Sequence, residues 1–282
     1  MKISVVIPVL NERSTLPAAI AALRACRGTA ESVTLEIVVS DGGSTDGTVQ
    51  WLQAQPDIVL VRSIRGKGPQ INVGAAAAFD LPGAPLNCES ATTEIAAGIA
   101  ATETNAAETT SVALVATSGP VNHALLFLHA DCLISQSALD ALHSALTDQQ
   151  LAGGAFYIRF AEARPRSLRL VAWGINVRAR FRNSATGDQG IFVRKSVFDS
   201  IGGAPDWPLF EDVELVRRIK QAGKFTVLRT PLTVSGRRYI EHGVFRTALL
   251  IYSLRFAYWL GVPPHRLKNW FRDARGKQKA SH

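Results

Sequence analysis

Four apolar residues lead directly into a polar triplet in the stretch Leu125-Leu126-Phe127-Leu128-His129-Ala130-Asp131. A short, continuous apolar run is typical of a strand that is buried on both faces of a parallel sheet. Because open α/β sheets bind ligands at the carboxyl ends of their strands, we expect Asp131 to face a crevice. A carboxylate beside bound phosphates commonly holds Mg²⁺ or Mn²⁺, so Asp131 is a candidate metal ligand. The alternative is that Asp131 only closes the turn.

Three strands and two helices are predicted before this stretch. Apolar runs predict strands at residues 3–9, 35–39 and 58–61, and helical spacing predicts helices at about 14–27 and 48–54. Strands that alternate with helices are typical of a doubly wound sheet with right-handed crossovers. The sequence therefore predicts an α/β fold with a mostly parallel sheet.

Two glycine-rich segments near predicted strand ends are candidate ligand loops. Asp41-Gly42-Gly43 follows the second strand, where an Asp can accept hydrogen bonds from a nucleobase or ribose, although an ordinary turn is the alternative. Residues 65–74 place Arg65 and Lys67 among glycines before an Ala-rich helix, which suits a diphosphate-facing loop or a merely solvated one. Neither segment matches the GxGxxG fingerprint or a P-loop.

Residues 80–122 show no regular apolar pattern, whereas the chain after Asp131 again predicts helices and strands. Residues 80–122 lack Lys, Arg and a sustained apolar period, and they read as a flexible insertion. Beyond Asp131, the pattern predicts helices at about 135–146, 168–181, 196–201 and from 210, and strands at 153–160, 191–193 and 226–228. Residues 235–239 are predicted as a polar loop after another strand, and 245–260 as a helix that packs on its own domain or lies on a membrane.

Charge and cysteine content exclude several classes of protein. The 282 residues carry a net charge of +8, and residues 237–282 contain ten Lys or Arg against two acidic residues. Such a region could meet phosphate or an anionic membrane, whereas nucleic-acid binding is not expected because no recognised motif accompanies the charge. Three scattered cysteines exclude a disulfide scaffold and indicate a reducing compartment. No signal peptide or spanning run is expected, which predicts a cytoplasmic protein, peripheral on the inner face of the plasma membrane.

In this order, the motifs resemble those of family 2 glycosyltransferases with the GT-A fold. Residues 5–12 are similar to the opening strand and nucleotide-contacting turn, and residues 39–48 to the second-strand motif of that family. Residues 66–74 resemble its basic glycine loop, His129-Ala130-Asp131 its DxD motif, and Glu211-Asp212 its ED motif. Residues 187–190 and 237–239 extend the likeness to a bacterial subgroup found near radical-SAM and selenium-related genes.

The resemblance implies a role for each residue that matches. Asp212 would be the catalytic base, Asp131 the ligand of Mg²⁺ or Mn²⁺, and the acceptor side would hold Gly187, Asp188, Gln189 and Glu211. The nucleotide sugar would contact Pro8, Asn11, Glu12, Asp41, Gly66, Lys67, Asn72, His129, Asp131, Arg237 and Arg238.

The implied domain plan is a GT-A glycosyltransferase domain at residues 1–236, interrupted by the insertion at about 81–122, and a basic region of amphipathic helices at 237–282. Two departures from the family pattern matter. His129 stands where the family usually has Asp, which predicts weaker metal dependence, and the insertion is foreign to the family.

The resemblance implies an inverting hexosyl- or related transferase. A sugar would move from a nucleotide-diphosphate sugar to a hydroxyl acceptor, and a lipid-linked acceptor would suit the basic, aromatic C-terminal helix better than a soluble one. A sugar-nucleotide-forming nucleotidyltransferase is disfavoured because the segment after the first strand, residues 8–12, lacks glycine. The remaining alternative is a non-catalytic nucleotide-sugar-binding or membrane-peripheral scaffold module.

Overall fold

The computed structural model describes residues 1–27, 33–78, 123–162 and 164–279, with side chains described as far as residue 271. The insertion predicted at 81–122 lies outside the described residues. The strands are β1 Lys2–Val9, β2 Thr34–Asp41, β3 Ile58–Arg62, β4 His123–Phe127, β5 Cys132–Leu133, β6 Leu151–Phe160, β7 Ile191–Arg194 and β8 Lys224–Val234. The helices are α1 Leu16–Arg27, α2 Thr48–Gln53, α3 Lys67–Ala77, α4 Gln136–Ala145, α5 Ser167–Arg182, α6 Lys195–Ser200, α7 Glu211–Ala222, α8 Arg237–His242, α9 Val244–Trp259 and α10 Pro264–Lys279.

Within these residues, the strands form one sheet in the order β3-β2-β1-β4-β7-β6-β8-β5. Strands β3, β2, β1 and β4 are mutually parallel, as are β6 and β8. Strand β7 runs antiparallel between β4 and β6, and the short β5 runs antiparallel to β8. This arrangement confirms the predicted α/β fold with a mostly parallel sheet.

The central strands are apolar throughout because both faces of the sheet are covered. On β1, Ile3 and Val5 belong to the apolar cluster that contains residues of α1 and α4, whereas Val6 belongs to the cluster that contains residues of α3 and α7. Leu125 and Leu126 of β4 divide between the two clusters in the same way. The predicted burial of β4 on both faces is therefore confirmed, and His129 and Asp131 follow directly from its carboxyl end.

Two predictions for residues 224–239 are wrong in detail. Strand β8 is one long strand that pairs with β6 from Leu151 to Phe160, and its register shifts where Leu228 gives way to Pro231 opposite Phe156 and Tyr157. This irregularity, beside a proline that lacks an N–H, interrupts the apolar pattern and hides the continuous strand. Of the expected loop at 235–239, only residues 235 and 236 are a loop, and residues 237–239 begin α8, in which the Tyr239 N–H donates to the Gly236 carbonyl.

The C-terminal helices fold back onto the rest of the protein. Leu254 of α9 and Leu267 of α10 form a buried cluster with Phe210, which directly precedes α7. The ring of Tyr258 lies 5.1 Å from that of Phe210, centroid to centroid. Among the described residues, no helix is long and apolar enough to cross a membrane.

Candidate active site

A cavity of about 500 Å³ opens beyond the carboxyl end of β4. His129 and Asp131 reach it from the segment after β4, Asp212 from the first turn of α7, and Asp188 from a single 3-10 turn, Gly187–Gln189. The remaining wall comes from the ends of β6 and β8, the adjoining Ser235 and helices α8, α9 and α10, and it carries many apolar side chains. The cavity therefore brings acidic groups from three separate segments against an apolar wall.

A second cavity of about 200 Å³ lies beside the first and shares part of its lining. Asp188, Asp212 and Arg238 line both cavities, whereas Lys67 and Glu211 line only the smaller one. Asp212 is thus accessible from both sides, and it stands at the junction of the two spaces.

The orientation of Asp212 is fixed by two backbone donors. The Gly187 N–H donates to Oδ2 at 2.6 Å, and the Val213 N–H donates to Oδ1 at 2.7 Å. Helix α7 begins after Phe210, whose φ of 65° turns the chain sharply before the acidic pair Glu211-Asp212. Because a helix N-terminus favours negative charge, this position suits an ionised carboxylate.

Lys67, His129 and Glu211 form a cluster next to Asp212. The Lys67 ammonium lies 3.3 Å from His129 Nε2 and 4.0 Å from Glu211 Oε1. Burial, together with Lys67 and Arg238, holds the pKa of His129 well below its usual value. The imidazole is therefore neutral at pH 7, and its Nε2 accepts from Lys67, which places the ring proton on Nδ1.

Glu211 is the acidic group whose titration is most altered in this cluster. Its side chain is buried, and burial together with the neighbouring Asp212 raises the pKa of Glu211 to about 7, against the opposing effect of Lys67. Glu211 therefore keeps its proton to a higher pH than an exposed glutamate does, because ionising it beside Asp212 in a buried space is unfavourable.

The predicted nucleotide-contacting residues form a separate group at the ends of β1 and β2. The Asp41 carboxylate accepts hydrogen bonds from the backbone N–H groups of Gly43 and Ser44, at 2.9 and 3.1 Å. Asn11 has a positive φ of 58°, and its side-chain oxygen accepts from the Thr45 N–H at 2.8 Å. Glu12 accepts a 2.6 Å hydrogen bond from the Thr15 hydroxyl. The bond between Asn11 and Thr45 ties the two strand-end turns together, and the other bonds fix each turn internally.

Pro8 and Gly66 lie near strand and helix ends that carry predicted nucleotide contacts. Pro8 lies near the end of β1 and pairs with Ser40 of β2, and Gly66, with φ 149°, immediately precedes α3 and so positions Lys67. Pro8, Asn11, Glu12, Asp41 and Gly66 do not line either of the two cavities described.

Three other predicted residues are engaged elsewhere. The Asn72 amide donates to the Ala204 carbonyl at 2.9 Å and accepts from the Ala204 N–H at 2.8 Å. Gln189 is fully buried, and its amide bonds to the Phe156 carbonyl and to Arg178. Arg237 is largely exposed and pairs with Glu241 at 3.2 Å.

Sequence reasoning did not single out Arg178 and Arg255, which line the smaller cavity, or His242 and Arg246, which line the larger one. The available signal was modest. Arg246 and Arg255 interrupt the apolar run of α9, and Arg178 is one of several arginines in α5. Which of these side chains face the site depends on how α5 and α9 cross, and their spacing in the sequence does not reveal this.

The side chains near Asp131 offer few ligands for a cation. Among the described residues, no three His, Cys, Asp or Glu side chains form a group able to hold a metal ion. The neighbouring Cys132 is buried, and burial raises the pKa of its thiol well above the usual value, so no thiolate is offered. A hard cation that takes one carboxylate, two phosphate groups and water fits this donor set, and a metal held by protein alone does not.

The first part of the chain is similar to a known protein family. Residues 4–80 match the family model described as glycosyl transferase family 2. No curated protein matches the sequence. The match covers β1 to α3, which include three of the eight described strands and carry Asp41 and Lys67.

Solved structures extend the likeness beyond that segment. Staphylococcus aureus TarS 1–349 superposes with a TM-score of 0.53 at 14% identity, covering 83% of this chain and 60% of that one, and it has also been solved with UDP and with UDP-GlcNAc. The Pyrobaculum calidifontis mannosyltransferase PcManGT, in complex with GDP-Man and Mn²⁺, gives 0.55 at 18% identity, covering 95% and 67%.

These likenesses show that the fold is of the GT-A type. Together with the family match they support a glycosyltransferase, although the chain spans only about 60% of the length of TarS 1–349. They do not distinguish the radical-SAM-associated subgroup, so that assignment stays a prediction.

Proposed function

We propose that this chain transfers a sugar from a nucleotide-diphosphate sugar to a hydroxyl acceptor with inversion of configuration, and that Asp212 is the base. The observation that carries the proposal is the placement of Asp212. Its carboxylate is fixed by the Gly187 N–H at the junction of two cavities, one of which also contains Asp131. A positioned carboxylate with free lone pairs can accept the proton of an attacking hydroxyl.

The donor is proposed to lie across the strand ends. The nucleoside would contact Pro8, Asn11, Glu12 and Asp41, whose turns are already tied together by hydrogen bonds. The diphosphate would then reach Lys67 and Arg238, which carry positive charge into the cavities. Two relatives in fold, TarS and PcManGT, were solved with UDP-GlcNAc and GDP-Man, which supports a nucleotide-sugar donor without identifying its base.

Asp131 would hold the divalent cation, which is expected to be Mg²⁺ or Mn²⁺. When bound, such a cation neutralises the charge that develops on the leaving diphosphate. The presence of Mn²⁺ in the PcManGT complex supports this proposal. Lys67 would add a fixed positive charge in the same region, because its ammonium is held between His129 and Glu211.

The chemical step follows from these positions. The acceptor hydroxyl loses its proton to Asp212 as its oxygen forms a bond to the anomeric carbon, and the bond from that carbon to the diphosphate breaks. One displacement from the face opposite the leaving group inverts the configuration. Holding acceptor and donor in this alignment is the main contribution that such a site can make to the rate.

The acceptor is proposed to carry an apolar part beside its hydroxyl. The apolar side chains that line the larger cavity include Phe160, Val234, Leu249, Leu250 and Phe271. Burial of apolar surface against such a wall favours binding, whereas a small polar acceptor would leave the wall exposed to water. A lipid-linked acceptor and a peripheral position at the inner face of the plasma membrane are consistent with this wall.

The test is hydrolysis and transfer with a panel of UDP-, GDP- and dTDP-sugars in Mn²⁺. The wild type is expected to release nucleoside diphosphate, Asp131→Ala to lose this release, and Asp212→Asn to lose at least about 100-fold in turnover while still binding the donor. Asp199→Asn, at an exposed site on α6, is the matched control and is expected to behave as wild type. Near-normal turnover in Asp212→Asn would refute the base. No nucleotide binding would favour the non-catalytic scaffold.

A further inference from the structure

The smaller cavity contains two arginines from different helices. Gly174 of α5 faces α9, because a Cβ built on it would lie 3.7 Å from the hydroxyl of Tyr252. Arg178 is four residues beyond Gly174, and Arg255 is three residues beyond Tyr252, so each lies on the face of its helix that looks toward the other. Both guanidinium groups accordingly line the same space of about 200 Å³.

Each of these arginines has a buried nitrogen without a hydrogen-bond partner among the described residues. These nitrogens are Nε of Arg178 and Nη1 of Arg255. Arg178 is oriented by a 3.0 Å hydrogen bond from Nη2 to the side-chain oxygen of Gln189, which is itself fully buried. Buried donors are normally satisfied, and a charged donor that is left unsatisfied costs more than a neutral one.

The electrostatics of the cavity also indicate a missing anion. Burial and the proximity of Arg178 lower the pKa of Arg255 to about 10, a direction that Asp212, Asp188 and Tyr252 oppose. Arg255 therefore keeps its charge at pH 7, although it lies close to a second guanidinium. Asp188 and Asp212, which also line the cavity, offset burial and the repulsion between the two guanidinium groups only in part, so a further anion between the arginines is favoured.

We propose that Arg178 and Arg255 bind a phosphate group of the acceptor. A phosphate offers several oxygens to the two planar guanidinium forks and can neutralise both charges. Arg178 is hydrogen-bonded to Gln189, and Arg255 lies near Asp188 and Asp212, so the pair adjoins the proposed acceptor side of the site. Lys67 and Arg238, the proposed contacts of the donor diphosphate, line the same cavity, so the test has to separate the two kinds of phosphate. This assignment rests on the proposed function, because Asp212 indicates where the acceptor binds only if it is the base.

The test is calorimetric titration of the full-length protein with inorganic phosphate, at saturating UDP or GDP so that donor phosphate sites are filled. We expect Arg178→Gln and Arg255→Gln each to weaken phosphate binding by at least about tenfold, without changing the affinity for the nucleoside diphosphate. Arg169→Gln, at an exposed position of α5, is the matched control and should bind phosphate normally. Arg255→Gln removes no hydrogen bond described here, so it remains informative if Arg178→Gln fails to fold.

Several outcomes would overturn the assignment. Absence of phosphate binding by the wild type would refute it, and so would loss of nucleoside diphosphate affinity in the two variants, because the pair would then serve the donor. Tighter binding of malonate, titrated in parallel, would refute the choice of phosphate. If no nucleotide binds at all, the proposed function fails, and titration without nucleotide still decides whether this pair binds phosphate.

A second and independent observation concerns the outer face of α9. Phe245, Leu249, Tyr252, Phe256 and Trp259 recur at alternating spacings of four and three residues, so they lie along one face of the helix. Their exposed fractions range from 45% for Tyr252 to 75% for Trp259. A continuous apolar stripe of this size is unusual on a protein surface and marks an interaction site.

The neighbouring helix α5 enlarges this surface. Leu170, Trp173 and Phe181 lie on one face of α5 and are 58%, 64% and 79% exposed. Gly174, within the same face, is where α5 approaches Tyr252 of α9. The two stripes therefore adjoin; α9 lines both cavities, and α5 lines the smaller one.

We infer that this surface docks on an anionic lipid bilayer. Aromatic and aliphatic side chains beside basic residues are typical of helices that lie in the membrane interface. The net charge of +8 carried by residues 237–282 would attract anionic lipid, whereas it would repel a second copy of the same region. Leu249 belongs to the stripe and also lines the larger cavity, so docking would bring the mouth of that cavity to the bilayer.

The experiment is co-sedimentation of the full-length protein with vesicles of phosphatidylcholine, with and without phosphatidylglycerol. Binding is expected only with phosphatidylglycerol, and the double variant Phe256→Ser/Trp259→Ser should reduce it by at least about tenfold. Ile64→Ser, which removes an equally exposed apolar side chain between β3 and α3, is the matched control and should bind normally.

Failure of the wild type to bind the vesicles would overturn the inference. Undiminished binding by the double variant would also overturn it, because the protein would then bind through its charge and not through the apolar stripe. Light scattering without lipid tests whether a second copy of the protein occupies this surface instead. A dimer that the double variant dissociates would show that the stripe joins two copies instead.

Discussion

The backbone N–H of Gly187 donates a 2.6 Å hydrogen bond to Oδ2 of Asp212, which joins the 3-10 turn after α5 to the first turn of α7. The same glycine is pressed against His129, because a Cβ built on it would lie 2.7 Å from His129 Nε2 and 3.4 Å from Asp212 Oδ2. Gly187 therefore allows the imidazole and the proposed base to lie on either side of one backbone position. Any side chain there would separate them.

Gly187→Ala is expected to reduce turnover by at least about tenfold, because displacement of His129 and Asp212 misaligns the reacting groups. The new methyl is also expected to lower the free energy of unfolding by about 1–3 kcal/mol. Steady-state kinetics and urea unfolding measure the two effects. In the double variant Gly187→Ala/His129→Ala the closest contact is gone. Its loss of unfolding free energy should therefore be smaller than the sum of the losses in the two single variants. A strictly additive result would contradict this account.

Glu211 makes a prediction about pH. Its folded-state pKa of about 7 is above the ordinary value of 4.5, so the folded protein binds the proton more tightly than the unfolded chain. Stability therefore falls as pH rises from about 4.5 to 7, and the full penalty is present above pH 7. Glu211→Gln removes this term and is expected to gain about 1–3 kcal/mol relative to wild type between pH 5 and pH 8.

Urea unfolding of both proteins at pH 5 and pH 8 tests this expectation for Glu211. The quantity to compare is the difference between variant and wild type at each pH, since other titrating groups cancel in it. An equal difference at the two pH values would show that Glu211 titrates in its ordinary range.

Asn72 was predicted from sequence as a nucleotide contact, and the structure gives it another set of partners. Its amide oxygen and nitrogen both bond to the backbone of Ala204, which connects α3 to the segment after α6. Asn72→Ala leaves the N–H and carbonyl of Ala204 unpaired, so we expect a loss of about 1–3 kcal/mol in unfolding free energy. Affinity for the nucleoside diphosphate should stay unchanged in calorimetry.

The exposed Gln53 provides the matched control for this amide, because Gln53→Ala is expected to change neither stability nor affinity. If Asn72→Ala instead lost nucleotide affinity with little change in stability, the original assignment would be correct.

The sequence was informative wherever a local pattern and the tertiary structure agree. The apolar runs of β1 and β4 are buried on both faces, so their composition alone predicts a parallel sheet and places Asp131 at its edge. Asp212 was found through an acidic pair at a helix start, a short-range signal. Strand β8 was missed because its pairing with β6 continues across Pro231, and α8 because its first residues are as polar as a loop.

The smaller cavity shows what sequence patterns do not contain. Arg178 and Arg255 lie on helices that are distant in the chain, and they meet because α5 approaches α9 near Gly174 and Tyr252. Neither arginine belongs to a motif with fixed spacing. The crossing of two helices depends on the packing of the whole C-terminal region, so it cannot be obtained from the periodicity of either helix.

His129 provides the last prediction, because it occupies the position where the family motif has a carboxylate. The neutral imidazole accepts from Lys67 and adds no negative charge beside Asp131. Replacing it by Asp would place two carboxylates at this edge of the sheet, a better donor set for a hard cation. His129→Asp is therefore expected to bind Mn²⁺ more tightly by on the order of tenfold in the presence of nucleoside diphosphate. Ser137→Asp adds the same charge at an exposed position of α4. An equal gain in Mn²⁺ affinity in that variant would show that the effect comes from net charge and not from a new ligand at residue 129.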